Sequence, residues 1–167
     1  MASTTYSFDI TTGVDLQEVD NAINQAQKEV AQRYDFKGSK AAVEFKRPDA
    51  LLELVADSDF QMHQLFDVVQ TKLIKRGIPV KNLDVGDIKV AGGDTVKREI
   101  KLKTELDGDT SKKVTAAIKG AKLKKVQVSI QGEQVRVTSP SKDDLQEAIQ
   151  FLRGEDFGVE LLFGNFR

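Results

Sequence analysis

The chain has 167 residues, 40% apolar and 31% charged, with 25 Lys+Arg against 26 Asp+Glu for a formal net charge of -1. An apolar share of this size supports a packed core, and no apolar run approaches the ~20 residues of a membrane span or forms a signal-peptide core near the start. Zero Cys and one His exclude disulfides, thiolate metal sites and paired imidazoles, and fit a reducing cytoplasm.

Tyr6-Ser7-Phe8-Asp9-Ile10 alternates as a half-buried strand. Asp15, three residues before Glu18, is an N-cap for a helix reaching about Arg33, with Leu16, Val19, Ile23, Ala26 and Val30 at helical spacing. Ala42 to Lys46 and Leu51 to Ala56 read as strands around the turn Arg47-Pro48-Asp49. Ser58-Asp59-Phe60-Gln61 opens a second helix that stops at Lys75-Arg76-Gly77. Val80 to Val90 is extended, and Ala91-Gly92-Gly93-Asp94 interrupts it.

The second half repeats the order. Val96 to Leu106 is a strand, Thr110 or Ser111 opens a helix to about Gly120, and Val126 to Gln131 with Gln134 to Thr138 is a hairpin over Gly132-Glu133. Ser141 caps a helix to about Arg153, and Val159 to Phe166 is the closing strand. Each half therefore reads βαββαβ, the ferredoxin-like unit of four antiparallel strands with two helices on one face. The fold class is α+β, with two such domains at 1–94 and 95–167. The opening strands Tyr6–Ile10 and Val96–Leu106 start equivalent repeats, so they could be exchanged between the two sheets.

Alternation also assigns strand faces. In the first half Phe8, Val43, Phe45, Leu52 and Leu54 point to the helices, while Asp9, Glu44, Lys46 and Glu53 point away. In the second half Ile100, Leu102, Val126, Val128, Ile130, Val135 and Val137 point inward. That leaves Lys101, Lys103, Gln127, Ser129, Gln131, Arg136 and Thr138 on the open face.

Charge divides the same way. Residues 1–94 carry 11 basic and 15 acidic side chains, whereas residues 95–167 carry 14 and 11. Between Thr110 and Gly132 no acid occurs, but Lys112, Lys113, Lys119, Lys122, Lys124 and Lys125 do. A lysine cluster beside an open sheet face is the electrostatic footprint of a phosphate-bearing partner. The inner strands of that face carry no aromatics for base stacking, which leaves Phe36, next to Lys37 and Gly38, and Phe166 as stacking candidates, with packing of Phe36 into the core the reading that the usual burial of Phe favours.

No catalytic constellation accompanies these residues. Neither common phosphate-binding glycine loop is present, and Ala91-Gly92-Gly93-Asp94 reads as a flexible link. His63 reads as a surface or boundary residue of a helix. Asp143-Asp144 complement a helix dipole and, being adjacent, do not face one another. Neither a catalytic residue, a metal site nor a cofactor is expected, and the chain reads as a non-enzyme.

Taken together, Ser7-Phe8-Asp9-Ile10, Tyr34-Asp35-Phe36-Lys37, Ser58-Asp59-Phe60-Gln61 with Gln64-Leu65, Lys75-Arg76-Gly77, Lys101-Leu102-Lys103, Ile130-Gln131-Gly132, Val135-Arg136-Val137, Asp143-Asp144-Leu145-Gln146 and Asn165-Phe166-Arg167 resemble the YajQ family of bacterial proteins over nearly the whole chain. The resemblance implies two ferredoxin-like domains, binding of nucleotides and RNA, and, in some members, a role as cyclic di-GMP effectors beside a transcription regulator. It implies no enzymatic reaction. One departure is Ser139-Pro140-Ser141, where relatives often carry Gly-Lys and further basic residues, which weakens the local positive field.

The resulting expectation is a cytoplasmic nucleotide-binding protein, monomeric or weakly self-associating and with no membrane partner. It would take RNA or tRNA, GTP, ATP or cyclic di-GMP on the open face of the second domain and the cleft between domains. The candidate contacts are Phe36, Lys37, Lys101, Lys103, Lys112, Lys113, Gln131, Arg136 and Arg167. The alternative is an adaptor that holds a transcription regulator without nucleotide.

Overall fold

The computed structural model describes residues 4–123 and 125–167. Along the chain lie β1 (Tyr6–Thr11), α1 (Leu16–Gln32), β2 (Ala42–Lys46), β3 (Leu51–Ala56), α2 (Asp59–Lys75), β4 (Leu83–Val85), β5 (Lys89–Ala91), β6 (Thr95–Leu102), α3 (Gly108–Gly120), β7 (Gln127–Gln131), β8 (Gln134–Ser139), α4 (Lys142–Arg153) and β9 (Leu162–Gly164). The protein is α+β, with two antiparallel sheets and two helices packed against each, as two ferredoxin-like units require. None of the described helices is long and apolar enough to cross a membrane.

Local chemistry sets the helix ends. The Asp15 carboxylate accepts from the Gln17 and Glu18 amides, and Ser58 Oγ accepts from Gln61 N at 3.1 Å. α2 stops because Gly77 takes φ +81°. This lets the Ile78 amide reach Leu73 O and the Gly77 amide reach Ile74 O, each at 3.0 Å. α3 begins earlier than Thr110, because the Asp107 side chain caps it by accepting from Thr110 N at 2.7 Å. The acid three residues before Thr110 outcompetes the hydroxyls as the first acceptor.

The two sheets have strand orders β7-β8-β1-β9 and β2-β3-β6-β4, with β5 also paired to β6. The chain accordingly divides into residues 1–13 with 104–167, and residues 14–103, where the sequence pattern alone divides at 94/95. Each opening strand lies centrally in the sheet of the other half: β1 between β8 and β9, β6 between β3 and β4. Side-chain pairing accounts for this. Phe8 and Ile10 stand opposite Val137 and Val135, and all four are fully buried. Ile100 stands opposite Leu52, both likewise fully buried. On the opposite face Asp9 is the register partner of Arg136. A slip of one residue would put both the apolar pairs and this ion pair on the wrong sides.

The extended segments are shorter than alternation suggests. β6 ends at Leu102, and the closing strand β9 spans Leu162–Gly164. The stretch from Val80 to Val90 breaks into β4 and β5 around Gly86, whose amide bonds Glu99 O at 2.8 Å. A Cβ on Gly86 would meet that same oxygen at 3.0 Å, so any larger residue would push the chain back from β6 here.

Candidate nucleotide-binding surface

Regrouping the charges by these units removes the basic half. Residues 1–13 with 104–167 hold 10 basic and 11 acidic side chains, and residues 14–103 hold 15 of each. An anion-receptive surface must therefore come from local arrangement.

Four candidates belong to the unit 14–103. Phe36 is 4% exposed in its core, with the Arg33 guanidinium 5.1 Å from the ring centre, so no base can stack on it. Its burial follows from the turn after α1, where Arg33 clamps Asp35 through Nε at 3.0 Å and Nη2 at 2.6 Å and drives Phe36 inward. Tyr34 takes the outward position, at 90% exposure, and Phe36 packs in the core as the usual burial of Phe favours. Lys37 is exposed just after this turn. Lys101 lines a pocket of about 500 Å³ together with Asp49, Asp84 and Glu99, three acidic residues to one basic. Lys103 follows β6, its backbone held by Asn82. Lys101 and Lys103 are thus not on the sheet that carries Gln131 and Arg136.

In the unit 1–13 with 104–167, the open face of the sheet is polar around one ion pair. Arg136 Nε donates to Asp9 Oδ1 at 3.0 Å, and Asn165 Nδ2 donates to Asp9 Oδ2 at 2.6 Å. Burial alone would raise the Asp9 pKa, but the hydrogen bonds from Arg136 and Asn165 and the charges of Arg136 and Arg167 hold it below its ordinary value. Gln131 is exposed, its amide on Ser129 Oγ at 3.1 Å. Phe166, 59% exposed, lies 5.9 Å from the ring of buried Phe8 and therefore on the helix side. Ile130, expected to face the helices, is 47% exposed near the hairpin turn.

In this unit a run of lysines lies on α3 and the turn that follows. Lys112, Lys113, Lys119, Lys122 and Lys125 are exposed, and none has a carboxylate within ion-pair distance among the described residues. Lys124 of the same run lies outside the described residues. Amphipathicity explains the helix: Val114 and Ile118 face the core, which leaves the lysines outward. Two pockets flank the start of edge strand β7. One of about 410 Å³ has an apolar wall that includes Ile118, Leu123 and Val128, with Lys119 and Lys122 at its border. The other, about 330 Å³, is lined by Thr5, Lys125, Thr138, Ser139 and Pro140. Gln127 lines both, and neither has a carboxylate in its lining. Gln127, Thr138 and the lysines were legible as polar surface, but the convergence of Thr5 with Ser139 required the pairing of β1 with β8.

Residues 6–167 match the family described as nucleotide-binding protein YajQ-like. The chain belongs to this family. A nucleotide-binding protein of Desulfitobacterium hafniense is 47% identical over 161 residues, covering 96% of this chain and 97% of that one. Others from Chloroherpeton thalassium and Geotalea daltonii are 44% identical over 165 residues and 49% over 161, covering 99% and 96% of this chain and 99% and 98% of theirs. The family description names binding and no reaction. Among the described residues no group of three or more His, Asp or Glu is placed to hold a metal ion.

Proposed function

We propose that the chain is a non-catalytic nucleotide-binding protein whose ligand sits over Gln127, across the two pockets that flank the start of β7. The observation that carries this reading is the pair of pockets that share Gln127, have no carboxylate in their lining and include Lys119, Lys122 and Lys125. The apolar wall suits a base or ribose face, the lysines neutralise phosphate, and the Thr and Ser hydroxyls complete the phosphate hydrogen bonds. Lys112 and Lys113 add to the field from the outer face of α3. The relatives carry the name nucleotide-binding protein, which supports the same reading. The ligand class is RNA, with GTP, ATP and cyclic di-GMP as smaller ligands of the same chemistry, and the cytoplasm is where such ligands occur.

Filter binding of a labelled single-stranded RNA to the wild type and to the Lys119→Ala/Lys122→Ala/Lys125→Ala variant tests the site. The variant is expected to bind more weakly, and the log–log salt slope is expected to fall by about 0.7 for each phosphate that is no longer neutralised. Unchanged affinity and slope would remove the assignment.

A second reading, an adaptor for a transcription regulator, is favoured by Tyr34 at 90% and Phe60 at 74% exposure, large aromatics of the kind that anchor interfaces. Purified protein with an absorbance spectrum shifted towards 260 nm supports the nucleotide reading, and a clean protein spectrum supports the adaptor.

A further inference from the structure

The chain after β9 does not leave the sheet. Asn165 takes φ +56°, a left-handed turn, and its amide is fastened to the buried Asp9 carboxylate. Arg167 then exchanges two backbone hydrogen bonds with Ser7, Arg167 N to Ser7 O at 3.0 Å and Ser7 N to Arg167 O at 3.2 Å. Such a reciprocal pair places two residues directly opposite, with side chains on one face. Ser7 points away from the helices, because its neighbour Phe8 is fully buried on their side. Arg167 is therefore on the open face, and its charge contributes to the low pKa of Asp9.

The register extends this into a row. Gln127 pairs with Thr138, Thr138 with Ser7, and Ser7 with Arg167. At the usual ~4.8 Å between strands, the row runs about 14 Å from the pockets at β7 to Arg167. One amide and two hydroxyls lie between, and no acidic side chain is a member. Arg136 stands one step in from it and spends only Nε on Asp9 among the described residues, which leaves its two terminal amino groups for a ligand.

We propose that the binding surface extends across the sheet to Arg167, so that the ligand is an extended oligonucleotide lying perpendicular to the strands, and that Asp9 and Asn165 are positioning residues that hold the tail in reach of it. This rests on the nucleotide reading above and assigns the length and direction of the ligand. Lys125 at one end and Arg167 at the other are too far apart to grip a single phosphate, and each would take a different phosphate of one strand.

Calorimetric titration with AMP and with oligoadenylates of two, three and four residues separates the two statements. For the wild type, affinity is expected to rise at least about tenfold between AMP and the longest oligomer, the gain of one charge-assisted hydrogen bond. Arg167→Ala is expected to lose that rise, and Arg167→Lys to recover part of it. Asn165→Ala, which keeps Arg167 but releases the tail, is expected to reduce the length dependence without changing AMP affinity. Should AMP bind with no gain on lengthening, or should Arg167→Ala follow the wild type at every length, the extended site is wrong while the nucleotide reading stands. Failure of AMP and of every oligomer to bind overturns both.

Discussion

The two sheets share one strand order and differ in what they do with their open faces. In the unit 14–103, Glu44, Glu53 and Glu99 stand in register across β2, β3 and β6. Glu53 accepts Lys46 at 2.8 Å and has Lys97 at 3.4 Å. In the other unit Ser129, Arg136 and Asp9 stand in register across β7, β8 and β1, with amides and hydroxyls around them. The first face draws Lys46 and Lys97 onto Glu53 and adds Glu44 and Glu99, so it is acidic and a poor seat for an anion. The second carries one internal ion pair and a surplus of donors. A polar open face is needed for solubility in both cases, so polarity does not mark a binding face. Donors with no partner inside the protein do.

The strongest test of this comparison removes strands. A fragment of residues 14–103 holds β2, β3, β6 and β4 with both of their helices, and is expected to unfold cooperatively by circular dichroism. A fragment of residues 1–94 has nearly the same length but lacks β6, the strand between β3 and β4 that supplies Ile100 and Leu102. It is expected to show no cooperative thermal transition. A sharp transition in that fragment would mean that β1 can replace β6, and the two sheets would then be interchangeable.

Next in size are the core residues of the two central strands. Phe8→Ala is expected to destabilise its own unit by about 3–5 kcal/mol, and Ile100→Ala the other unit by about 2–5 kcal/mol. Hydrogen exchange read residue by residue separates them. Lost protection in β7 and β8 on the first substitution, and in β2 and β3 on the second, keeps the units apart. Equal loss throughout would make them one cooperative body.

The repeat, the helix caps at Asp15, Ser58 and Ser141 and the hairpin at Gly132 were legible because each is a local signal. The exchange was visible only as an ambiguity. Tyr6–Thr11 and Thr95–Leu102 each offer one apolar face of similar size, and the choice between sheets is made by distant partners, 127 residues away for Asp9 and Arg136 and 156 for Asp9 and Asn165. The same distance effect misplaced the charge. Lys101 counted as part of a basic half when read along the chain, but its strand neighbour is Asp84. The lysine run of α3 kept its meaning because it lies within one helix and its following turn. The tail was opaque: nothing local in Asn165-Phe166-Arg167 announces a partner at Asp9.

The smallest effects come from acid titration, and here too the units diverge. Asp9 lies below its ordinary value of 3.8 and Glu53 below 4.5, the latter chiefly through its hydrogen bond from Lys46. A carboxyl with a lowered pKa stabilises the fold in full above its ordinary value and loses that contribution as the pH falls through the lowered one. Both pairs therefore weaken only below about pH 4.5, so neither moves stability near neutrality. Asp9 is 4% exposed and doubly hydrogen-bonded, so Asp9→Asn is expected to cost about 1–3 kcal/mol at pH 7. Glu53 is 19% exposed and its lysines about 40%, so Glu53→Gln is expected to cost about 0–1 kcal/mol. Salt distinguishes them further: high ionic strength should screen the Glu53 pairs and leave Asp9 nearly untouched. Chemical denaturation of the two variants in urea, at low and high salt, reads both effects. Equal, salt-sensitive losses would show that Asp9 is an ordinary surface acid, and its hold on the tail would then be too weak to keep Arg167 in place.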